Sequence, residues 1–204
     1  IKTLISLLFI TLLSSPSWSE GLSMDDLVEN PSDGLVYKKF TTIPFSGSVL
    51  PTSEDPSSGS YKDGRRHGLW ETFHQNGLLK SKGNWKDGKE EGLWEFFHEN
   101  GKLRQKANFK DGKQDGLRES YHENGQLNEK GNFKDDKANG LWESYHENGQ
   151  LWKKGDYKDG NRDGLWEYYY GNGQLSGKGN FKDGEIDGLW ESYHENGQLW
   201  KKGD

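Results

Sequence analysis

The sequence predicts an all-β protein, an elongated single-layer antiparallel sheet built from six 24-residue β-hairpin repeats. Three observations lead there. The motif GLWE, written GLRE in one copy, returns at Gly68, Gly92, Gly116, Gly140, Gly164 and Gly188, always 24 residues apart. Asn-Gly returns with the same period at Asn76, Asn100, Asn124, Asn148, Asn172 and Asn196. Finally, only 29% of the 204 residues are apolar, too few for one compact core, yet nine Trp, nine Tyr and nine Phe argue against a disordered chain. The aromatic residues must be buried locally, unit by unit.

Residues 1–19 read as a secretory signal peptide, with Lys2, a largely apolar run from Leu4 to Leu13, then Pro16 and the small Ser17 and Ser19. The run is too short to span a bilayer. Cleavage after Ser19 is expected to leave an exported protein, periplasmic or extracellular, with no membrane insertion. The chain has no Cys, which excludes disulfides and a lipid-anchoring cysteine. Without Lys2 the chain holds 26 basic residues against 33 acidic ones, interspersed rather than clustered. That balance argues against nucleic acid and against a polybasic membrane patch.

Residues 20–60 precede the repeats. Residues 20–34 are polar and turn-rich, and residues 35–50, LVYKKFTTIPFSGSVL, read as a diverged hairpin capping the sheet. Residues 51–60, PTSEDPSSGS, read as a linker.

Residues 61–204 carry the repeats, each close to GLWExYHENGQLxxKGxFKDGxxx. Asn-Gly between aromatic-rich stretches signals a hairpin with a type I′ turn, in which both central residues take positive φ. Centring the turn on Asn76-Gly77 pairs Glu71 with Lys82 and Trp70 with Gly83. The Glu–Lys pair recurs in all six hairpins, as in Glu95/Lys106, Glu143/Lys154 and Glu191/Lys202, each worth about 0.2–1 kcal/mol. The Trp opposite Gly suggests an indole covering a strand glycine. In two places the pattern breaks: Trp94 faces Ala107, and Arg118 replaces the Trp opposite Gly131, so repeat three is the expected weak point. Alternation places Trp70, Thr72, His74, Leu79, Gly83 and Trp85 on one face, with Leu69, Glu71, Phe73, Lys80 and Lys82 on the other. Lys-Asp-Gly, or Lys-Asp-Asp at Lys134, turns one hairpin into the next. Twelve strands at about 4.8 Å give a sheet roughly 58 Å long. The chain begins without Met and stops inside a repeat at Asp204, which suggests a fragment.

Chemistry is sparse in this pattern. The histidines at 74, 98, 122, 146 and 194 invite a metal reading, but equivalent residues two strands apart are about 9.6 Å from one another, too far to converge on one zinc. Every candidate catalytic set recurs along an open sheet, without a singular pocket, and no cofactor motif is present. No enzyme activity is expected.

GLWE, YHENGQL and FKDG together resemble the MORN repeat variant of bacterial proteins, including those of the YwqK-type antitoxin family. The resemblance covers about residues 61–204, and YKKF and PFSGSV, similar to a leading hairpin in such proteins, extend it to about residue 35. It implies a twisted hairpin array that acts as a scaffold and, in the antitoxin family, neutralises a toxin by binding it. The expected function is therefore an exported scaffold for a protein partner, a toxin if the antitoxin resemblance carries over, with a cell-wall or glycan-binding module as the alternative. A single-layer sheet exposing Trp marks an interaction site. The expected partner-binding residues are Trp142, Trp166 and Trp190, with Tyr145, Tyr169 and Tyr193 on the opposite face.

Overall fold

The computed structural model describes residues 22–203; the expected leader, residues 1–19, lies outside the described residues. Strands β1 (Leu22–Ser23), β2 (Leu27–Asn30), β3 (Leu35–Lys38), β4 (Gly47–Leu50) and β5 (Ser57–Lys62) lead into the repeats. The repeats supply β6 (Arg65–Phe73), β7 (Leu79–Lys86), β8 (Lys89–Phe97), β9 (Leu103–Lys110), β10 (Lys113–Tyr121), β11 (Leu127–Lys134), β12 (Lys137–Tyr145), β13 (Leu151–Lys158), β14 (Asn161–Tyr169), β15 (Leu175–Lys182), β16 (Glu185–Tyr193) and β17 (Leu199–Gly203). From β4 to β17 each strand pairs with the next in sequence, within a 15-stranded sheet that β1 closes in parallel beside β4. The predicted all-β hairpin array is what the chain forms.

The Glu–Lys and Trp–Gly register is as predicted, with Glu71 opposite Lys82 and Trp70 opposite Gly83, but the turns that produce it are not. At the Asn-Gly end His74 N donates to Leu78 O and Gly77 N to His74 O, so three residues form the loop. Gly77 has φ 81° while Asn76 stays at negative φ, which makes this a type I turn with a glycine bulge rather than type I′. The loop closes one residue early, and an extra residue, Lys80, bulges out before Ser81 and restores the register. Type I′ geometry belongs to Lys-Asp-Gly, where Asp63 (φ 50°) and Gly64 (φ 76°) form a two-residue loop between the paired Lys62 and Arg65. Because of the Lys80 bulge, Leu79 pairs with Phe73 and shares its face, correcting its assignment to the tryptophan face.

A second irregularity separates the hairpins. Pairing runs Asn84↔Glu91 and then Lys82↔Glu95, which leaves Gly92 and Leu93 as extra residues on β8, with Gly92 at φ 73°. The glycine of each GLWE is therefore a bulge residue.

The N-terminal segment differs from the expected layout. Residues 35–50 do not form one hairpin: β3 pairs antiparallel with β2, whereas β4 pairs with β5. Residues 57–60 are strand rather than linker, and β4–β5 is a further hairpin of the array, with Val49 opposite Gly59 as Trp70 is opposite Gly83. Val49 lacks the ring but takes the buried position. Low apolar content and Pro56 hid β5 from a reading based on hydrophobic alternation.

Candidate functional site

Each repeat tryptophan except Trp94, which has Ala107 on one side, has a strand glycine on either side, as Trp142 has Gly131 and Gly155. The indole leans over the glycine of the preceding hairpin, not over its own. A methyl group at Gly59 would lie 2.3 Å from Trp70, at Gly83 2.1 Å from Trp94, at Gly131 2.0 Å from Trp142, and at Gly155 2.3 Å from Trp166. A hydrogen bond holds the tilt: the indole N–H donates to the carbonyl of the residue after that glycine, Trp70 to Ser60 (3.0 Å), Trp94 to Asn84 (3.2 Å) and Trp166 to Asp156 (3.1 Å). The tryptophan is a fastener between repeats.

The two breaks in the pattern are one contact. Ala107 and Arg118 are cross-strand neighbours, so the residue that would lie on the Ala107 methyl is arginine instead of an indole that could not fit. Ala107 is fully buried. Arg118 answers to Glu129 (3.4 Å) and the Gln105 amide (3.5 Å), with its guanidinium toward the Phe133 ring.

Beyond this interruption the rings run Phe133, Trp142, Tyr157, Trp166, with centroids 5.1–5.5 Å apart and edge-on, continuing through Phe181 to Trp190 at 6.1–6.2 Å. Trp142 and Trp166 are 7% and 0% exposed. Trp190 is half-buried against Tyr168 and Phe181. These three residues were expected to meet a partner; neighbouring rings cover them instead, because the row of aromatic side chains is dense enough to form a core without a second layer.

The opposite face is also regular. The tyrosine hydroxyls donate to the glutamate two residues earlier: Tyr145 to Glu143 (3.1 Å), Tyr169 to Glu167 (3.0 Å) and Tyr193 to Glu191 (2.6 Å). Lysines reach forward to the next repeat, Lys130 to Glu143 (2.7 Å), Lys154 to Glu167 (2.9 Å) and Lys178 to Glu191 (3.3 Å). The Lys130 hydrogen bond, helped by Tyr145, holds the Glu143 carboxyl below its ordinary value, and Lys202, Tyr193 and Lys178 hold Glu191 down to about 2. Burial, with Glu119 as acceptor, pushes Tyr121 up to about 12. Tyr145, Tyr169 and Tyr193 thus sit beside charged pairs, part-exposed. One turn of alternation away lie the GLWE leucines, Leu69, Leu93, Leu117, Leu141, Leu165 and Leu189, each 43–53% exposed. In the sheet they alternate with Asn84, Asn108, Asn132, Asp156 and Asn180.

The histidines have a local task. The Nε2–H of His74, His98, His122 and His146 donates to the main-chain oxygen of Phe97, Tyr121, Tyr145 and Tyr169 in the next repeat, at 3.0–3.1 Å. Tyr170 replaces histidine in repeat five, and its hydroxyl donates to Tyr193 O at 2.8 Å. Asn76, Asn124, Asn148 and Asn172 make parallel links through their side-chain amides. Among the described residues no group of three or more His, Cys, Asp or Glu is placed to hold a metal ion. Trp152 and Trp200, which stand at the outward bulge position of Lys80, are 45% and 67% exposed; alternation alone does not distinguish them from covered indoles.

A sheet of like hairpins, most fastened to the one before by the same tryptophan-on-glycine contact and linked to the next by a histidine or tyrosine hydrogen bond, defines a tandem-repeat array protein. The MORN repeat variant family matches residues 66–87, 90–111, 114–135, 138–159, 162–183 and 186–204, and the chain belongs to that family. No curated protein matches it.

Proposed function

We propose that this protein is an exported, non-enzymatic scaffold that binds a protein partner along its leucine face. The observation that carries this reading is the division of labour between faces. The GLWE tryptophans are used internally, whereas six half-exposed leucines recur beside the Glu–Lys ladder. A periodic apolar stripe with charges alongside suits an extended polypeptide or a broad protein surface. The six-repeat resemblance and the leader sequence support an envelope role, and neutralisation of a toxin by binding is the specific form this reading favours.

Trp152 and Trp200 favour a second reading. Exposed indoles beside His146 and His194 (centroids 6.1 and 5.9 Å) could stack on sugar rings of a cell-wall glycan.

The test compares retention from a cell-envelope extract by residues 20–204, by the Leu141→Lys/Leu165→Lys variant and by Trp152→Ala/Trp200→Ala. The expected result is one dominant protein, lost with the leucine variant and kept with the tryptophan variant. Equal retention by all three, or no protein at all, contradicts the scaffold reading. Wall polysaccharide lost only with the tryptophan variant establishes the glycan reading.

A further inference from the structure

We propose that the cavity between the β2–β3 sheet and the first repeat binds a monocarboxylate carried on an apolar body. The β2–β3 sheet caps the array and is held to it by main-chain bonds: Val36 N donates to Gly64 O (2.9 Å), Gly64 N to Phe45 O and Phe45 N to Val36 O (both 2.8 Å). Between cap and array is a cavity of about 350 Å³, the size of a small-molecule site. Met24, Leu27 and Val36 line it from the N-terminal segment, and Arg65, Arg66 and Trp85 from the repeats. Elsewhere the surroundings of each residue recur every 24 positions; under the cap they are singular.

Arg66 sets the chemistry. Its guanidinium lies over the Trp70 and Trp85 rings, 4.5 and 5.1 Å from their centroids, and such stacking uses the planar faces while leaving the N–H fork at the edge. None of the ion pairs among the described residues involves Arg65 or Arg66. The equivalent positions in the later repeats are Glu90, Gln114, Ala138, Arg162 and Ile186. Arg162 stacks in the same way, on Trp166 (4.8 Å) and Phe181 (5.2 Å), but its Nη1 donates to the Tyr168 hydroxyl at 2.9 Å. In the first repeat Thr72 stands where Tyr168 does, and its hydroxyl is bonded to Ser81 at 2.7 Å. Trp85 adds an indole N–H that is buried without a hydrogen-bond partner. Two arginines and one glutamate, Glu29, line the cavity and leave a single net positive charge. That balance suits one carboxylate on the Arg66 fork, with its apolar part against Met24, Leu27 and Val36. The site lies on the tryptophan face and stands whether or not the leucine face binds a partner.

The test titrates residues 20–204 with hexanoate and follows the Trp85 indole resonance, assigned through Trp85→Phe, by NMR. Saturable shifts are expected with hexanoate and none with hexanol, which has the same chain and no charge. Arg66→Gln should weaken binding about tenfold or more, whereas Arg162→Gln, at the equivalent stack, leaves it unchanged. Exposed Glu29 carries the test if Arg66→Gln fails to fold: Glu29→Gln removes the opposing charge and tightens binding severalfold. Leu141→Lys/Leu165→Lys leaves hexanoate binding intact, which separates this site from the leucine face. Tighter binding of N-acetyl-leucine than of hexanoate assigns the carboxylate to the end of a polypeptide chain, and the reverse order assigns it to a free acid. No saturable shift up to about 10 mM, equal binding of hexanol, equal affinity in folded Arg66→Gln, or unchanged affinity in Glu29→Gln overturns the proposal.

Discussion

A strand glycine ordinarily weakens a sheet, since it adds backbone freedom and packs nothing. Here its missing side chain is the seat of the next repeat's indole. Gly155→Ala would put a methyl group 2.3 Å from the buried Trp166 ring. We expect a loss of about 1–3 kcal/mol, read by urea or thermal unfolding. The Trp–Gly pairing was legible in the sequence because both residues recur at fixed spacing. Which glycine the indole covers was not, since a tryptophan with a glycine on either side gives no sign of its tilt. Ala107 and Arg118 held the clue: alanine is found where the following residue in the column is not tryptophan.

At the scale of the element, the two turns exchanged roles. Asn-Gly and Asp-Gly are both type I′ signals, and the sequence gives little reason to rank them. The structure assigns I′ to Asp-Gly because its flanking Lys62 and Arg65 pair directly, while His74 closes a wider loop and sends its side chain to the next repeat. The register prediction survived because the early closure and the Lys80 bulge cancel. Gly160, at φ 90°, has only the Lys137 side chain at 3.9–4.0 Å. Gly160→Ala is therefore a test of backbone strain alone, with an expected loss of about 1–2 kcal/mol, and Gly160→Asn should lose less because asparagine tolerates left-handed geometry. Asp136 shows how the chain manages without glycine at this position: it sits at φ 66° and its carboxylate accepts from Gln114 N at 2.7 Å. The leading hairpin was misplaced because β2 and β3 form a sheet of their own, and short strands with polar residues leave little periodic signal.

Across the whole molecule, stability is distributed over like interfaces, so small effects repeat along the array. Glu143 and Glu191 titrate below their unfolded values in the fold, so their contribution is complete above about pH 4.3 and fades as pH falls through the folded values, about 2 for Glu191. Tyr121 titrates above its unfolded value, so its contribution is complete below about pH 10 and fades as pH rises toward 12. Denaturation midpoints should therefore stay level between about pH 5 and 9 and decline on both sides; Tyr121→Phe should reduce the alkaline decline. The fold class and its repeat boundaries were legible because period and turn residues are dictated by backbone geometry. The candidate site was not, because exposure depends on whether neighbouring rings meet, and a single-layer sheet leaves that open until the side chains are placed. Buried apolar residues gather in two clusters, one around Val49, Tyr61 and Trp70 and one around Trp142, Trp166 and Phe181, on either side of repeat three.

The central claim, that each tryptophan is a key cut for the glycine of the preceding hairpin, is tested most directly by a double-mutant cycle at Ala107 and Arg118. Arg118→Trp alone should destabilise by about 1–3 kcal/mol, since the indole meets the Ala107 methyl group. Combined with Ala107→Gly it should become neutral or stabilising, with a coupling of about 0.5–3 kcal/mol. Additive effects, or a stabilising Arg118→Trp on the alanine background, would contradict the account.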